Sequence, residues 1–191
     1  MEFKEYELFN DRAIERWRKA IKLRRAGVRE IYVSNSELQS AYENISDEFK
    51  PLFKLLVYSG TRLSQAKEGI KHLDKVVIKG NLCRVPINSV SSGNKRVYWM
   101  YFPSSLLKEL KGFKNHNKYM RKQLQYERVS ASTLRKWNLN FMIEQGTPES
   151  VSDFIQGRAS VTVGSAHYLA KTNQADLWYS KVISRLIDIL P

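Results

Sequence analysis

Hydrophobic residues recur at helical spacing along most of the chain, so helices are the main predicted element. In residues 6–26 they form one stripe opposite a basic face, which predicts an amphipathic helix. The helices that the same spacing predicts afterwards are 36–45, 46–59, 62–72, 104–112, 117–127, 130–145, 148–156, 164–170 and 173–190. Ser36, Ser46 and Thr61 are predicted to cap the first three of these. Gly60 is predicted to end the second.

The hydrophobic pattern changes to that of β-structure in the middle of the chain. Runs of β-branched and aromatic residues predict three strands, at Val76–Ile78, Leu82–Ile87 and Val97–Phe102. Gly80-Asn81 separates the first two runs and Ser91–Asn94 the last two, and both segments are typical of hairpin turns. The sequence therefore predicts an α+β fold that is mostly helical, with a small three-stranded antiparallel sheet.

The composition indicates a folded globular protein rather than a disordered or membrane-spanning one. The chain has 191 residues, of which 42% are hydrophobic, enough for one core but short for two full domains. Cys83 is the single cysteine, so a reducing, cytoplasmic location is expected. No apolar run is long enough to span a membrane, and no secretory signal is expected. A basic N-terminal helix with a linker is expected over 1–35, followed by the main domain over 36–191.

A large excess of positive charge makes a polyanion the first partner to consider. Lys and Arg number 32 against 19 Asp and Glu, a net charge of +13, and each phosphate that a protein neutralises releases counterions. Residues 12–29 contain eight basic residues and residues 108–136 contain nine. Either cluster alone is also typical of a solvated helix face. Together they favour a DNA or RNA groove over an anionic membrane. The expected DNA contacts are Arg16, Lys19, Lys118, Arg121, Lys122 and Lys136.

Motifs for nucleotide and metal chemistry are missing from the sequence. It contains no Gly-rich phosphate loop, HExxH pair, DxDxDG loop or GxSxG elbow. Its histidines, His72, His116 and His167, are too scattered along the chain to suggest a metal site. No metal, cofactor or small-molecule substrate is therefore expected.

An ordered series of cations that ends in a tyrosine is the most specific chemical feature of the chain. Its members lie at a helix junction, in the second sheet turn, near the start of a later helix, at the end of the next helix and ten residues beyond. In that order they are Arg62, Lys95, Arg135, Arg158 and Tyr168. This order and spacing resemble the tyrosine recombinase (integrase) family, most of all the integrases of archaeal viruses and plasmids. The resemblance covers about residues 36–185 and implies the fold of a tyrosine-recombinase catalytic domain.

The resemblance also implies a catalytic role for each member of the series. Tyr168 would be the nucleophile, and Lys95 would protonate the departing 5′ oxygen. Arg62, Arg135 and Arg158 would hold the scissile phosphate. Guanidinium groups suit this task because their forked donors match the non-bridging oxygens of a phosphodiester under attack.

Some positions depart from the family pattern and leave the proton-transfer partners open. Ser132 stands where the family has the first histidine of its boxes, and Arg158 stands where it has the second. Gln65 replaces an acid that usually supports the first arginine. Ser132, Gln65 and His167 are therefore supporting candidates, and Lys79 is a second option for the hairpin lysine.

The resemblance implies that the protein is a site-specific DNA recombinase or integrase, of the kind that integrates a viral genome. It would cleave and rejoin strands through a 3′-phosphotyrosyl intermediate without metal or cofactor, and would self-associate on DNA as a dimer or tetramer. It would act in the cytoplasm of a host cell, at the nucleoid. Two alternatives stay open: a nicking-closing enzyme like type IB topoisomerases, which rejoins the same strand, and a catalytically silent DNA-binding domain of the same fold.

Overall fold

The computed structural model of the protein describes four stretches of the chain, which are residues 32–87, 97–114, 119–158 and 168–190. At Tyr168 and Leu169 only the backbone is described. The chain divides into two units, Met1–Glu30 and Ile31–Pro191, and all described residues belong to the second. The helix expected over 6–26 lies outside the described residues, and the domain boundary expected after residue 35 stays a prediction. No described helix is both long and apolar enough to cross a membrane.

Helices make up most of the described residues, and one small sheet lies between them in the chain. The α-helices are α1 Asn35–Asn44, α2 Lys50–Ser59, α3 Leu63–Lys71, α4 Leu107–Gly112, α5 Met120–Gln123, α6 Ala131–Glu144, α7 Glu149–Ile155 and α8 Tyr168–Ile187. The strands are β1 Val77–Lys79, β2 Leu82–Pro86 and β3 Trp99–Pro103. Short 3₁₀ turns cover Asp47–Phe49, Leu73–Lys75 and Ser104–Leu106. The predicted fold class, α+β and mostly helical, is confirmed.

The three strands form one antiparallel sheet in the order β1-β2-β3. Arg84 on β2 lies opposite Tyr101 on β3. Gly80 has a φ of 59° and supplies the left-handed residue that the tight turn between β1 and β2 requires. The predicted sheet is confirmed, with strand ends shifted by one or two residues. The hairpin turn predicted at 91–94 lies outside the described residues.

Helix α2 lies at the centre of the core, because every residue from Leu55 to Ser59 is buried. Helix α6, helix α3 and strand β3 all pack against α2. Helix α8 packs on α7 and on strands β2 and β3, where it buries Ala175, Tyr179 and Val182. Each large apolar side chain removed from water contributes about 1.5–3 kcal/mol. This packing fixes the end of α2 and the start of α3 next to α6.

The first two predicted helix caps are wrong. Ser34, not Ser36, caps α1, because the Glu37 N–H donates to Ser34 Oγ at 3.2 Å and the Ser34 N–H donates to Glu37 Oε2 at 2.8 Å. This reciprocal pair is a capping box, which satisfies two backbone donors at once. Ser46 makes no side-chain cap bond, because a 3₁₀ turn separates it from α2.

The junction between α2 and α3 confirms one predicted boundary and corrects another. Gly60 ends α2 in the left-handed conformation, as predicted. Arg62, not Thr61, is the N-cap of α3, and its N–H donates to Gln65 Oε1 at 2.9 Å. The Thr61 hydroxyl is instead hydrogen-bonded to the Ser59 hydroxyl at 2.8 Å, in a buried position. This side-chain pair competes with the role of a cap.

The helix predicted over 117–127 is shorter than its hydrophobic spacing suggests. Only Met120–Gln123 is α-helical, and residues 115–118 lie outside the described residues. Tyr126 and Val129 then pair as an isolated antiparallel bridge around Glu127, whose φ is 46°. The chain therefore turns before Ser130, the N-cap of α6.

The last helix is longer than predicted. The spacing predicts separate pieces over 164–170 and 173–190, whereas α8 runs without a break from Tyr168 to Ile187. Residues 164–167 of the first piece lie outside the described residues. Thr172 is buried on the same side of the helix as Ala175 and Tyr179. Packing of this stripe outweighs the weak helix propensity of a β-branched residue. The expected nucleophile therefore begins a long helix that packs on the core.

Candidate functional site: an arginine-lined pocket

The first arginine of the site lies at the junction of α2 and α3. Gly60 has a φ of 58°, and a Cβ there would overlap the carboxamides of Asn138 and Gln156, so only glycine fits without strain. Arg62 follows as the N-cap of α3, with an exposed side chain. A cation at a helix N-terminus is repelled by the partial positive charge of the helix dipole. An anion bound beside Arg62 would relieve that repulsion.

The second arginine is nearly buried in α6. Ser130 caps this helix by accepting a hydrogen bond from the Thr133 N–H at 3.4 Å. Arg135 is 8% exposed, and its Nη1 donates to the carbonyl oxygens of Gly60 and Gln156 at 2.8 Å each. Its Nη2 is buried and has no hydrogen-bond partner among the described residues. One arm of the guanidinium therefore anchors the side chain, and the other holds donors that no described residue uses.

The third arginine follows α7. Gly157 has a φ of 66°, and the Arg158 N–H closes the turn by donating to the Asp153 carbonyl oxygen at 2.7 Å. A Cβ at Gly157 would overlap Val97, so this turn also requires glycine. The Arg158 side chain is half-buried, and its Nε has no partner in the part of the chain that the structure describes. Two of the three guanidinium groups thus hold buried donors that no described residue uses.

The three arginines line one open pocket of about 600 Å³. Ser130 and Ser132, at the start of α6, line the same pocket. The other lining residues are Leu63, Ser64, Arg121, Ala131 and Lys136. No acidic side chain is among the lining residues in the described ranges. The pocket is therefore suited to an anion.

Burial and like charge both perturb the arginines of the pocket. The pKa of Arg135 is lowered to about 9, first by burial and then by the positive charges of Arg158 and Arg62, with Asp153 opposing. Burial is also the main cause that lowers the pKa of Arg158, with Asp153 opposing and Arg62 adding to the shift. Both guanidinium groups are positively charged, so they repel each other. A bound phosphate group would offset this repulsion.

The family of the chain follows from a sequence comparison with family models. Residues 30–185, more than half of the chain, match the model described as archaeal phage integrase. The chain belongs to the archaeal phage integrase family. The predicted resemblance to integrases is therefore confirmed.

Comparison with solved structures supports the integrase fold. A XerH site-specific recombinase bound to difH substrate, in a pre-cleavage complex, matches with a TM-score of 0.50 and 15% sequence identity, covering 78% of this chain and 49% of the recombinase. XerH in a post-cleavage complex with palindromic difH substrate matches with a TM-score of 0.48 and 16% sequence identity. That match covers 81% of this chain and 53% of the recombinase. The chain thus spans about half the length of these recombinases. No curated protein sequence gave a match.

The integrase pocket brings together several residues that the sequence singles out. Arg62, Arg135 and Arg158 come from the starts or ends of different helices and meet there, and Ser132 joins them. Gln65 is buried and is not a lining residue, and its Oε1 accepts a hydrogen bond from the Arg62 N–H. The catalytic roles of these side chains stay predictions.

The basic residues of the sequence divide between the pocket and other surfaces. Arg121 and Lys136 line the pocket, and Lys122 is exposed on α5. Lys79 is instead paired with Asp176, with its Nζ 2.7 Å from Oδ2, and is not a lining residue. Among the residues predicted for the site and for DNA contacts, six have side chains that the structure does not describe, namely Arg16, Lys19, Lys95, Lys118, His167 and Tyr168.

Sequence reasoning missed two residues that organise the pocket. Asn138 and Gln156 are buried, and their carboxamides are hydrogen-bonded to each other. Gln156 also donates to the Arg135 carbonyl oxygen, and Asn138 donates to the carbonyl oxygens at the end of α2. A signal for Asn138 was present, because it interrupts the apolar stripe of α6 between Trp137 and Phe141. A polar residue at a core position must find hydrogen-bond partners there. No comparable signal marks Gln156.

Proposed function

We propose that this integrase-family protein is a site-specific DNA recombinase that cleaves and rejoins strands through a 3′-phosphotyrosyl intermediate. The observation that carries the proposal is the pocket, where Arg62, Arg135 and Arg158 meet and two of them hold buried donors without a described partner. A phosphodiester under attack accumulates negative charge on its non-bridging oxygens. Fixed guanidinium donors in a partly buried site stabilise that charge without reorganisation.

Tyr168 is the nucleophile of the proposed reaction. Its Oη forms a bond to the scissile phosphorus while the bond between phosphorus and the 5′ oxygen breaks. A free tyrosine has a pKa of about 10, so the phenol loses its proton as it attacks. The position of Tyr168 at the start of α8 supports this role, because α8 and the helices that carry the pocket arginines pack on one core.

Lys95 is the proposed general acid, which donates the proton that the departing 5′ oxygen gains. An ammonium on a flexible stem suits this step, because it can approach the leaving group from a turn. The ion pair of Lys79 with Asp176 favours Lys95 over Lys79 for the role. Ser132, on the pocket wall, is a candidate hydrogen-bond donor to the phosphate, and His167, next to the nucleophile, is a further supporting candidate.

Rejoining reverses these steps with a different strand. A 5′ hydroxyl attacks the phosphotyrosyl phosphorus, Tyr168 leaves and regains a proton, and the number of phosphodiester bonds is conserved. Double-stranded DNA is the proposed substrate, which the charge of +13 and the basic pocket support. Exchange between two duplexes requires more than one active site, so we include self-association on DNA in the proposal. The protein would act where host DNA lies, at the nucleoid.

Covalent trapping tests the proposal directly. The substrate is a pool of duplexes that are randomised around a nick, so that a short fragment diffuses away after cleavage and the adduct persists. Adducts are recovered under denaturing conditions and their DNA is sequenced. We expect the wild-type protein to give adducts enriched in one sequence and Tyr168→Phe to give none. If the wild-type protein binds DNA and forms no adduct, the chain is a silent DNA-binding domain.

Strand exchange then separates a recombinase from a nicking-closing enzyme. Two duplexes of different length that carry the enriched sequence are labelled with different dyes. A recombinase joins the two labels in one product. An enzyme that only relaxes supercoiled plasmid carrying the same sequence, and never joins the two labels, would contradict the recombinase proposal.

A further inference from the structure

The pocket rests on a buried polar network that crosses four helices. Asn138 Nδ2 donates to the buried carbonyl oxygens of Val57 and Tyr58, at 2.8 and 3.2 Å. These carbonyls lie in the last turn of α2, where the helix itself supplies no donor. Tyr179 on α8 donates its hydroxyl to the same Tyr58 oxygen at 2.9 Å. Gln156, at the end of α7, joins Asn138 on α6, its Nε2 donating to Asn138 Oδ1 at 2.6 Å.

Gln156 and Arg135 hold each other through reciprocal bonds. The Gln156 side chain donates to the Arg135 carbonyl oxygen at 3.1 Å, and the Arg135 side chain donates to the Gln156 carbonyl oxygen at 2.8 Å. The same guanidinium nitrogen also donates to Gly60 O. Gly60 lies two residues before Arg62, and Gln156 lies two residues before Arg158. Arg135 is therefore bonded to the backbone that leads into each of the other two arginines.

The carboxamides of Asn138 and Gln156 also lie directly against the backbone of Gly60, at the end of α2. A Cβ on Gly60 would overlap both of them, so the backbone of Gly60 packs directly on the pair. Both side chains are 1% exposed or less. Water does not compete for hydrogen bonds in such a buried site, and an amide group that is buried without a partner is energetically costly.

We infer that Asn138 and Gln156 are positioning residues, whose paired carboxamides set the relative placement of Arg62, Arg135 and Arg158. Neither is a lining residue of the pocket. They act through the backbone of Gly60 and through both ends of Arg135. This inference rests on the proposed function, because the placement matters only if the three guanidinium groups act on one phosphate. Misplacement of a clamp by about 1 Å lowers a reaction rate by about 100-fold.

Gln156→Met is the main test variant. It keeps the volume of the side chain and removes the two bonds that Nε2 donates, while Gln156 Oε1 has no partner among the described residues to lose. Asn138→Ala is the second variant, for the case that Gln156→Met does not fold. Ser152→Ala is the matched control, since Ser152 Oγ on α7 is equally buried and has no hydrogen-bond partner in the described ranges.

Two readouts separate positioning from simple loss of stability. The first is the rate of adduct formation by folded protein at saturating DNA, on the enriched nicked duplex and on the same duplex with a methylphosphonate at the scissile position. The methylphosphonate lacks one anionic oxygen and therefore depends less on the clamp. The second is the rate at which phenylglyoxal modifies Arg135, followed by mass spectrometry, which requires no DNA and no cleavage.

We expect Gln156→Met to slow adduct formation by roughly 10–100-fold on the phosphate duplex. On the methylphosphonate duplex it should slow the reaction by less than about threefold, because the substitution and the loss of the anionic oxygen weaken the same interaction and their effects are not additive. Arg135 should react with phenylglyoxal several-fold faster than in the wild type. Ser152→Ala should match the wild type in both readouts. The inference is overturned if folded Gln156→Met, or folded Asn138→Ala where Gln156→Met is unfolded, behaves like Ser152→Ala. If the wild type forms no adduct, the proposed function fails, and the phenylglyoxal rates alone decide the inference.

Discussion

Arg135 differs from the other two pocket arginines in how it is held. It is 8% exposed, and one of its nitrogens bonds to two carbonyl oxygens, whereas Arg62 is exposed and Arg158 is half-buried. The planar fork of a guanidinium can anchor one arm and present the other. A lysine offers one nitrogen, which cannot serve the two carbonyls and a ligand in the same geometry. Arg135 is thus the position at which Arg and Lys are least interchangeable.

We expect Arg135→Lys to lower the rate of adduct formation by roughly 100-fold. DNA affinity should change by less than about threefold, because the positive charge remains. Single-turnover trapping and a binding titration measure the two quantities. Lys136→Ala is the control, since Lys136 is exposed beside the same pocket. It should weaken binding and leave the rate at saturating DNA near that of the wild type. A normal rate for Arg135→Lys would remove Arg135 from the proposed clamp.

Gly60 ends α2 where two carboxamides meet the backbone. Alanine there would need a left-handed φ and would overlap Asn138 and Gln156. We expect Gly60→Ala to lower the free energy of unfolding by about 2–3 kcal/mol, from conformational strain plus overpacking. Gly146→Ala is the matched control, because Gly146 has a φ of 82° and no atom within 4 Å of the added Cβ. It should cost about 1 kcal/mol. Urea unfolding measures both, and equal costs would contradict the packing described for Gly60.

A buried ion cluster ties α8 to the sheet. Asp176 on α8 accepts hydrogen bonds from Arg84 at 2.9 Å and Lys79 at 2.7 Å. The side chains of Asp176 and Arg84 are 10% and 12% exposed, whereas that of Lys79 is 48% exposed. The Arg84 guanidinium also lies 4.5 Å from the centre of the Trp99 ring. The cluster holds the helix that begins with Tyr168 against strands β1 and β2.

Removing the acid of this cluster leaves two cations without their partner. We expect Asp176→Ala to lower the free energy of unfolding by about 3–5 kcal/mol, because Arg84 is only 12% exposed and would lose the carboxylate that pairs with its charge. Lys79→Ala should cost at most about 1 kcal/mol, since half of that side chain is in water. Urea unfolding of the two variants compares them. A smaller loss for Asp176→Ala than for Lys79→Ala would refute the account of the cluster.

The secondary structure was predictable wherever a local pattern determines it. The three strands follow from runs of β-branched and aromatic residues, and Gly60 ends α2 as its position suggests. Helix caps were less predictable, because several neighbouring serines could each cap α1. Ser34 is the cap because it forms a reciprocal capping box with Glu37. The continuity of α8 through Thr172 depends on packing against the core, which no local pattern contains.

The candidate site was predictable in its charged residues and not in what supports them. The order of the cations along the chain indicates Arg62, Arg135 and Arg158, and the fold brings them to one pocket. The Asn138–Gln156 pair joins two helices through contacts that form only in the folded molecule. Spacing along the sequence does not report such contacts.

The net charge of +13 acts on the molecule as a whole. We expect the logarithm of the DNA association constant to fall linearly with the logarithm of salt concentration, with a slope of about −0.9 for each phosphate neutralised. Arg121→Ala should make the slope less steep by about 0.9, because Arg121 lines the pocket. Lys71→Ala is the charge-matched control, since Lys71 is paired with Glu68 and lies outside that lining. Equal changes for the two variants would place the DNA elsewhere on the surface.

The most direct measurement is to identify the residue that becomes attached to DNA. The trapped adduct is digested with nuclease and trypsin, which cleaves after Arg158 and Lys171, and the peptides are sequenced by mass spectrometry. We predict that a nucleotide remains attached to Tyr168 through its 3′ phosphate, in the peptide 159–171. A nucleotide on Ser132, on another tyrosine, or on no residue of the wild-type protein would contradict it.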